Sequence, residues 1–370
     1  MLMIRLNGAN VMSTAEVHGR PGLRHALVAV AAITVTLVAS ACGASSKDTA
    51  TGPSATSSAG SWTSVVSGAC KEGTVTLYAN TPAGVLTDLA NGFEKAYPCI
   101  KLNYSRILSP QLVPKIEAEQ SSGNGGADVA ITEVAGFWQD FSKRGLLAKF
   151  TGPNALAWPA NYVKGDDYAT ISIEPFVMVY NKNLVKTAPA GYSALLNPIY
   201  KGKTGTTSVL GAGSIVTWYQ YLTKYYGSNF LAEWAANKPQ QFQGTAGVTQ
   251  AVASGEVAIG AFSLGSAAQP LIATGAPIGV VVPEHPSANA NLIGIMGYSK
   301  HPDAAQVLVN YLMSKSAQEL WVKESAGFTV SPINVPGSEN ASTMVITSSS
   351  TPTSEQINNF TEMFNREFSS

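Results

Sequence analysis

Between Thr74 and Thr132 the sequence alternates short β-rich runs with helical periods, and this alternation restricts the fold more than any other feature. Thr74–Tyr78 (TVTLY) is β-rich, and Val85, Leu86, Leu89, Ala90 and Phe93 then recur at helical spacing. Ile100–Tyr104 is a second strand. Leu112, Ile116 and the polar run Glu117–Gln120 belong to a second helix, and Asp128–Thr132 (DVAIT) is a short buried strand. Strand, helix, strand, helix, strand at this spacing requires crossover connections and a largely parallel sheet, an α/β architecture. Thr81-Pro82 suits the N-cap and first position of the first helix. Ser109-Pro110 suits those of the second, although Pro114 sits badly inside a first full turn.

The pattern continues in a second region. Ala169–Asn181 (ATISIEPFVMVYN) is longer than a typical strand. Helices are expected from about Ser214 to Tyr226, from about Leu231, and over Gly247–Ala253, with strands at Val257–Phe262 and Ile278–Val282. Pro302–Met313 is amphipathic, with Ala305, Leu308, Val309 and Leu312 on one face. A last helix covers Ser354–Phe368. A second α/β lobe between 182 and 278 follows, with a return of the chain to the first.

Apolar residues make up 45% of the 370, enough for two cores, while Lys plus Arg and Asp plus Glu are both 23. A nucleic-acid protein would show a basic stripe, which this balance argues against. At the N-terminus, Arg20, Arg24 and His25 precede the apolar run Ala26–Ala39, too short to span a bilayer, which takes about 20 residues. A basic segment before a short apolar one is a secretory signal. Its end, Val38-Ala39-Ser40-Ala41-Cys42, resembles the bacterial lipobox, in which the cysteine is acylated, although Ala39 stands where the usual leucine would. From Gly43 to Gly60 all residues but Lys47 and Asp48 are Gly, Ala, Ser, Thr or Pro, the composition of a flexible tether. Cys70 and Cys99 remain in the exported part, each just before an expected strand. They form a disulfide if those strands are neighbours, and are otherwise two separate buried thiols.

The chemistry of common enzymes is missing: there is no HExxH, no Walker loop, and no GxGxxG after a strand. His285 and His301 are the histidines of the exported part, both followed by proline. Ala261-Phe262-Ser263-Leu264-Gly265 approaches a nucleophile elbow, but its first position is Ala. Tyr225-Tyr226, a conceivable phenolate pair, ends a helix before Gly227 and suits core packing better. The candidate binding residues lie where strands end. Glu133 stands one residue past a buried strand, at the carboxyl end where open α/β sheets bind ligands. Asn80 and Thr81, Ser109, and Thr132 occupy equivalent places. Gly211-Ala212-Gly213-Ser214 opens a helix whose free N–H groups suit a phosphate or carboxylate.

Several segments recur in a familiar order: Val75–Tyr78, Gly92–Pro98 (GFEKAYP), Ile116–Glu119, Ala127–Val129, Gly145–Leu147, Val179–Lys182 (VYNK), Pro198–Gly202 (PIYKG), Gly255–Val257, Gly275–Pro277 and His301–Gln318. Together they resemble the family 1 extracellular solute-binding proteins of ABC importers. The subgroup that binds ferric iron, aminoethylphosphonate, thiamine or polyamines is most similar. The resemblance implies a two-lobe periplasmic-binding-protein fold of type II, with the ligand cleft between lobes and crossovers at Ala169–Asn181 and Ile278–Pro283. It implies no catalysis, no cofactor and no resident metal. The implied partners are a small-molecule ligand and a membrane permease, for a lipid-anchored monomer on the outer face of the cell membrane. The expected organisation is signal peptide 1–41, tether and lead-in 42–73, first part of lobe 1 at 74–168, and hinge crossover 169–181. Lobe 2 at 182–277, the return to lobe 1 at 278–335 and a C-terminal helical segment 336–370 follow.

Glu133 matches an acidic position that iron binders use as a ligand. Pro82 stands where they often carry histidine, and Gly260–Ala268 (GAFSLGSAA) lacks their tyrosine pair. The resemblance therefore favours a small organic solute, zwitterionic or phosphorylated, contacted by Asn80, Thr81, Ser109, Thr132, Glu133, Gly211, Ala212, Gly213, Ser214 and Ser263. A ferric-iron binder of the same family, or a surface hydrolase using Ser263, are the alternatives.

Overall fold

The computed structural model describes residues 57–209, 213–284, 286–347 and 352–368. It begins with α1 (Ser57–Glu72), β1 (Thr74–Ala79), α2 (Ala83–Ala96), β2 (Lys101–Arg106), α3 (Ser109–Ser122), β3 (Val129–Thr132) and α4 (Ala135–Lys143). β1 lies between β2 and β3 and runs parallel to both. Short elements β4 (Leu147–Ala148), α5 (Pro153–Leu156) and β5 (Val163–Lys164) lead into the long strand β6 (Tyr168–Asn181).

The second lobe contains β7 (Thr204–Thr207), α6 (Gly213–Tyr226), α7 (Phe230–Ala236), β8 (Gln240–Phe242), α8 (Gly244–Ser254), β9 (Ile259–Leu264), α9 (Gly265–Ala273) and β10 (Ile278–Val281). The chain then forms β11 (Ser287–Met296), α10 (Pro302–Leu312), α11 (Lys315–Glu324), β12 (Val345–Ile346) and α12 (Ser354–Phe368). The strand order is β2-β1-β3-β11-β6-β9-β7-β8.

β6 belongs to both lobes. Its first half, Tyr168–Pro175, pairs antiparallel with β11, and β11 pairs with β3 of the first lobe. From Phe176 onward β6 pairs with β9, and from Met178 also with β10. A 14-residue strand suits this role because its residues are buried along nearly its whole length, as a strand covered on two sides requires. Each lobe has its own core. Leu77, Phe93, Val129, Ile131, Leu308 and Trp321 are buried in the first, and Trp218, Tyr219, Trp234, Phe262 and Phe364 in the second.

Four expectations need correction. The lead-in is not tether throughout: Ser57–Glu72 is helical, because Trp62, Val65, Val66 and Ala69 recur at i, i+3, i+4 and i+7 and pack on the first core. Gly68 lets this helix approach α10, since a Cβ there would lie 1.9 Å from Asp303 Oδ2. The Glu72 carboxylate accepts the Ala304 N–H at 2.7 Å, capping α10 from outside. The chain also leaves the second lobe later than 278, because β10 still pairs with that lobe's half of β6. The segment 336–370 is not helical throughout, since β12 pairs with β11, and α12 returns to the second core through Phe364 and Phe368. Finally, neither expected hydroxyl cap forms. Pro82 occupies the N-cap of α2 and Leu108 that of α3, which carries Pro114 in its interior.

Cys70 and Cys99 are joined by a disulfide, with Cα atoms 5.1 Å apart. It ties the end of α1 to the turn before β2, which the parallel pairing of β1 and β2 brings alongside.

Candidate functional site

The carboxyl ends of β1 and β3 and the α3 start after β2 converge on a polar cluster. Ser109 begins α3, but its hydroxyl donates to Glu133 Oε2 at 2.6 Å instead of capping the helix. Thr132 Oγ1 lies 2.8 Å from Ser109 Oγ and 3.3 Å from Glu133 Oε2. Asn80 Nδ2 donates to the same Oε2 and, at 3.4 Å, to Asn291 Oδ1. Asn291 in turn donates to Ser172 Oγ at 3.1 Å. The network therefore runs from lobe 1 onto both strands, β6 and β11, that lie between the lobes. Trp138 fixes its underside: the indole N–H donates to the Thr132 carbonyl at 3.0 Å, and the ring stacks on Tyr168.

One register step further along the ribbon, Glu174 lies directly opposite Asn289. Glu174 is the penultimate residue of the β11-paired half of β6. Its carboxyl group lies beside the hydroxyl and backbone N–H of Ser266, in the first turn of α9. Burial pushes the Glu174 carboxyl above the usual range, and the negative charge of Glu133 adds to the rise. The two carboxylates thus face one region, one from lobe 1 and one from the connecting strand. Helices α2, α3, α4 and α9 all begin here without a side-chain cap of their own, which leaves N–H groups for other partners.

Asn80, Thr81, Ser109, Thr132 and Glu133 are brought together at these adjacent strand ends. Cys42, Gly211 and Ala212 lie outside the described residues, as does His285. Gly213 is the first residue of α6, so Ser214 lies inside the helix and is not its N-cap; α6 itself abuts β11. Ser263 does not join the cluster. It is fully buried and its hydroxyl lies 2.6 Å from that of Thr249 on α8, an internal strand-to-helix tie with no base beside it. Tyr226 packs against Tyr192 and Phe230. Burial, and then the charge of Glu284, push its phenol above the usual range.

Sequence reasoning missed Ser172, Glu174, Asn289 and Asn291. The signal was present as strict alternation: Thr170, Ser172 and Glu174 in β6 and Ser287, Asn289 and Asn291 in β11, each separated by apolar residues or alanine. A separate cavity of about 470 Å³, lined by Lys186, Lys203 and Glu256 among others, adjoins Lys203 and Ala258. These residues precede β7 and β9, so the cavity opens at the amino ends of the strands, away from the crevice where α/β sheets bind ligands.

Two α/β lobes sharing their connecting strands, with a polar cluster at the strand ends beside those connections, define a two-lobed binding protein. A family model described as bacterial extracellular solute-binding protein matches residues 78–319, and the chain belongs to that family. Among solved structures, the chain is similar to the substrate-binding protein of an ABC transporter from Agrobacterium tumefaciens. The two are 17% identical with a TM-score of 0.68, over 82% of this chain and 97% of that one. Iron-bound HitA from Pseudomonas aeruginosa is 20% identical with a TM-score of 0.59, over 80% and 99%. AfuA from Actinobacillus pleuropneumoniae, with exogenous fructose-6-phosphate bound, is 19% identical with a TM-score of 0.59, over 80% and 99%. These identities carry the fold and not the ligand. No curated protein sequence matches the chain.

Proposed function

We propose that this chain is the substrate-binding component of an ABC importer, capturing a small polar organic solute in the interlobe cleft and delivering it to a membrane permease. The observation that carries this reading is the Glu133 network, which runs from the strand ends of lobe 1 onto the connecting strands β6 and β11. A solute bound there touches groups whose relative positions change as the lobes close, so binding and closure are coupled. A solute carrying a cationic group for Glu133 and an anionic group for the N-terminal end of α6 would satisfy both charge preferences. Ferric iron is the other reading within the family. It is less well supported, because Gly260–Ala268 (GAFSLGSAA) holds no tyrosine where the iron binders carry a pair. No helix among the described residues is long and apolar enough to cross a membrane. The reading includes attachment through an acylated Cys42 after removal of a signal peptide over 1–41, because Val38-Ala39-Ser40-Ala41-Cys42 resembles the bacterial lipobox.

The test is native mass spectrometry of the exported protein purified without refolding, followed by small-angle scattering with and without the solute it carries. A bound organic solute whose removal opens the lobes supports the reading. A coloured ferric complex would select the iron alternative. Turnover of a generic ester, lost in Ser263→Ala, would replace the binding reading with a hydrolase.

A further inference from the structure

We infer that the floor of the cleft is an ammonium-binding subsite, in which a protonated amine of the solute lies within reach of both Glu133 and Glu174 and donates to the amide oxygens of Asn80 and Asn289. The inference rests on the solute-binding reading above and names the chemistry of its ligand.

The acceptor inventory carries it. Glu133 Oε2 already receives Asn80 Nδ2, Ser109 Oγ and Thr132 Oγ1, while no described protein donor reaches Oε1. Among the described residues, Glu174 has Ser266 beside it and no salt-bridge partner. None of the ion pairs among the described residues involves either carboxyl group.

A second observation is independent of these charges. Four buried side-chain polar atoms lack any hydrogen-bond partner among the described residues: Asn80 Oδ1, Thr81 Oγ1, Ser287 Oγ and Asn289 Oδ1. All are oxygens. Thr81 and Ser287 are 4% and 0% exposed, so water does not satisfy them from the surface. Asn80, Thr81 and Asn289 adjoin the cluster. Asn80 and Thr81 follow β1 directly, and Asn289 opposes Glu174. Ser287 shares the β11 face of Asn289 and Asn291 by the two-residue period. Buried polar groups are almost always paired, and an amide oxygen can only accept. Two carboxylates and two unpaired amide oxygens therefore ask for a multiple donor with positive charge. A phosphate or carboxylate placed directly against Glu133 would meet like charge. A metal ion is a poorer fit than an ammonium, because three donors already occupy Glu133 Oε2 and hold that carboxylate to a single free oxygen.

The experiment titrates the full exported chain calorimetrically with matched probes: 2-aminoethylphosphonate against 2-hydroxyethylphosphonate, and 1,4-diaminobutane against 1,4-butanediol. At least one amine is expected to bind tenfold or more tightly than its hydroxyl partner. Glu133→Gln and Glu174→Gln are each expected to remove most of that difference, and Asn289→Ala to weaken amine binding threefold or more in a chain whose carboxylates are intact. Equal binding of amine and hydroxyl probes, or binding of neither amine at millimolar concentration, overturns the inference. So does calcium or ferric iron binding that both Gln variants abolish. If instead a solute without a cationic nitrogen co-purifies and closes the lobes, the inference fails while the solute-binding reading stands.

Discussion

Ser109 and Glu174 show how single residues serve this site at the expense of local rules. A serine at a helix start ordinarily caps it, and a lost cap costs about 1 kcal/mol. Here the Ser109 hydroxyl is turned onto Glu133 and the helix begins uncapped. Glu174 does the reverse, supplying a carboxylate to the start of α9 from a different strand. Two predictions belong at this scale. Glu133→Gln removes the charge but retains the shape, and should weaken binding of the native solute about tenfold or more, on the order of 1.4 kcal/mol, by calorimetry. Unchanged affinity would make Glu133 a surface acid only. For Glu174 the sign follows from its raised value in the folded chain. The unfolded carboxyl titrates near the ordinary value of about 4.3. The folded state therefore binds the proton more tightly, and the stability this contributes is fully present below that pH and lost as pH rises through the folded value. Ligand-free Glu174→Gln should melt higher than wild type at pH 7, with the gap closing toward pH 4. A variant that melts lower at pH 7 would contradict the account.

At the scale of elements, α1 is held by three devices: its apolar stripe, the Glu72 cap on α10, and the Cys70–Cys99 disulfide. The disulfide spans 29 positions, and in the chain-entropy model a loop of that size stabilises the fold by about 3–4 kcal/mol. The Cys70→Ser, Cys99→Ser double variant should lose that amount in urea unfolding followed by fluorescence, while keeping solute affinity, because the bond lies at the amino ends of β1 and β2. A loss of affinity larger than the loss of stability would place α1 nearer the site than the topology does. β6 is the other decisive element. Its two faces and two sets of partners make it part of both lobes, and Glu174 stands just before the point where the partners change.

At the scale of the whole molecule, the two lobes are joined through β6 and β11. The polar network draws on lobe 1 and on the strands between lobes, so under the proposed function solute binding and lobe geometry are linked. Under the proposed function, the chain ahead of α1 connects these lobes to the membrane through Cys42. Cys42→Ala should release the protein into the medium or leave an uncleaved precursor, read by cell fractionation and intact mass. Retention in the membrane fraction at the mature mass would refute the acyl anchor.

Local periodicity determined much of this protein. Alternating strand and helix patterns between Thr74 and Thr132 made a parallel α/β sheet almost unavoidable, because parallel neighbours require crossover helices. Glu133, Asn80 and Ser109 were legible for the same reason, since the carboxyl end of a parallel strand is a place that can be counted to. Helix α1 was hidden by its small residues, and only packing against α10 distinguishes it from the tether before it. Ser263 looked exposed in a strand-to-turn pattern, yet α8 covers it. Glu174 and Asn289 were invisible as a pair because they lie 115 positions apart and meet only through the antiparallel register of β6 and β11. Sequence spacing reports which face of its own strand a residue occupies. Which distant strand lies opposite, and so which carboxylates and amides share a floor, is decided by long-range pairing alone.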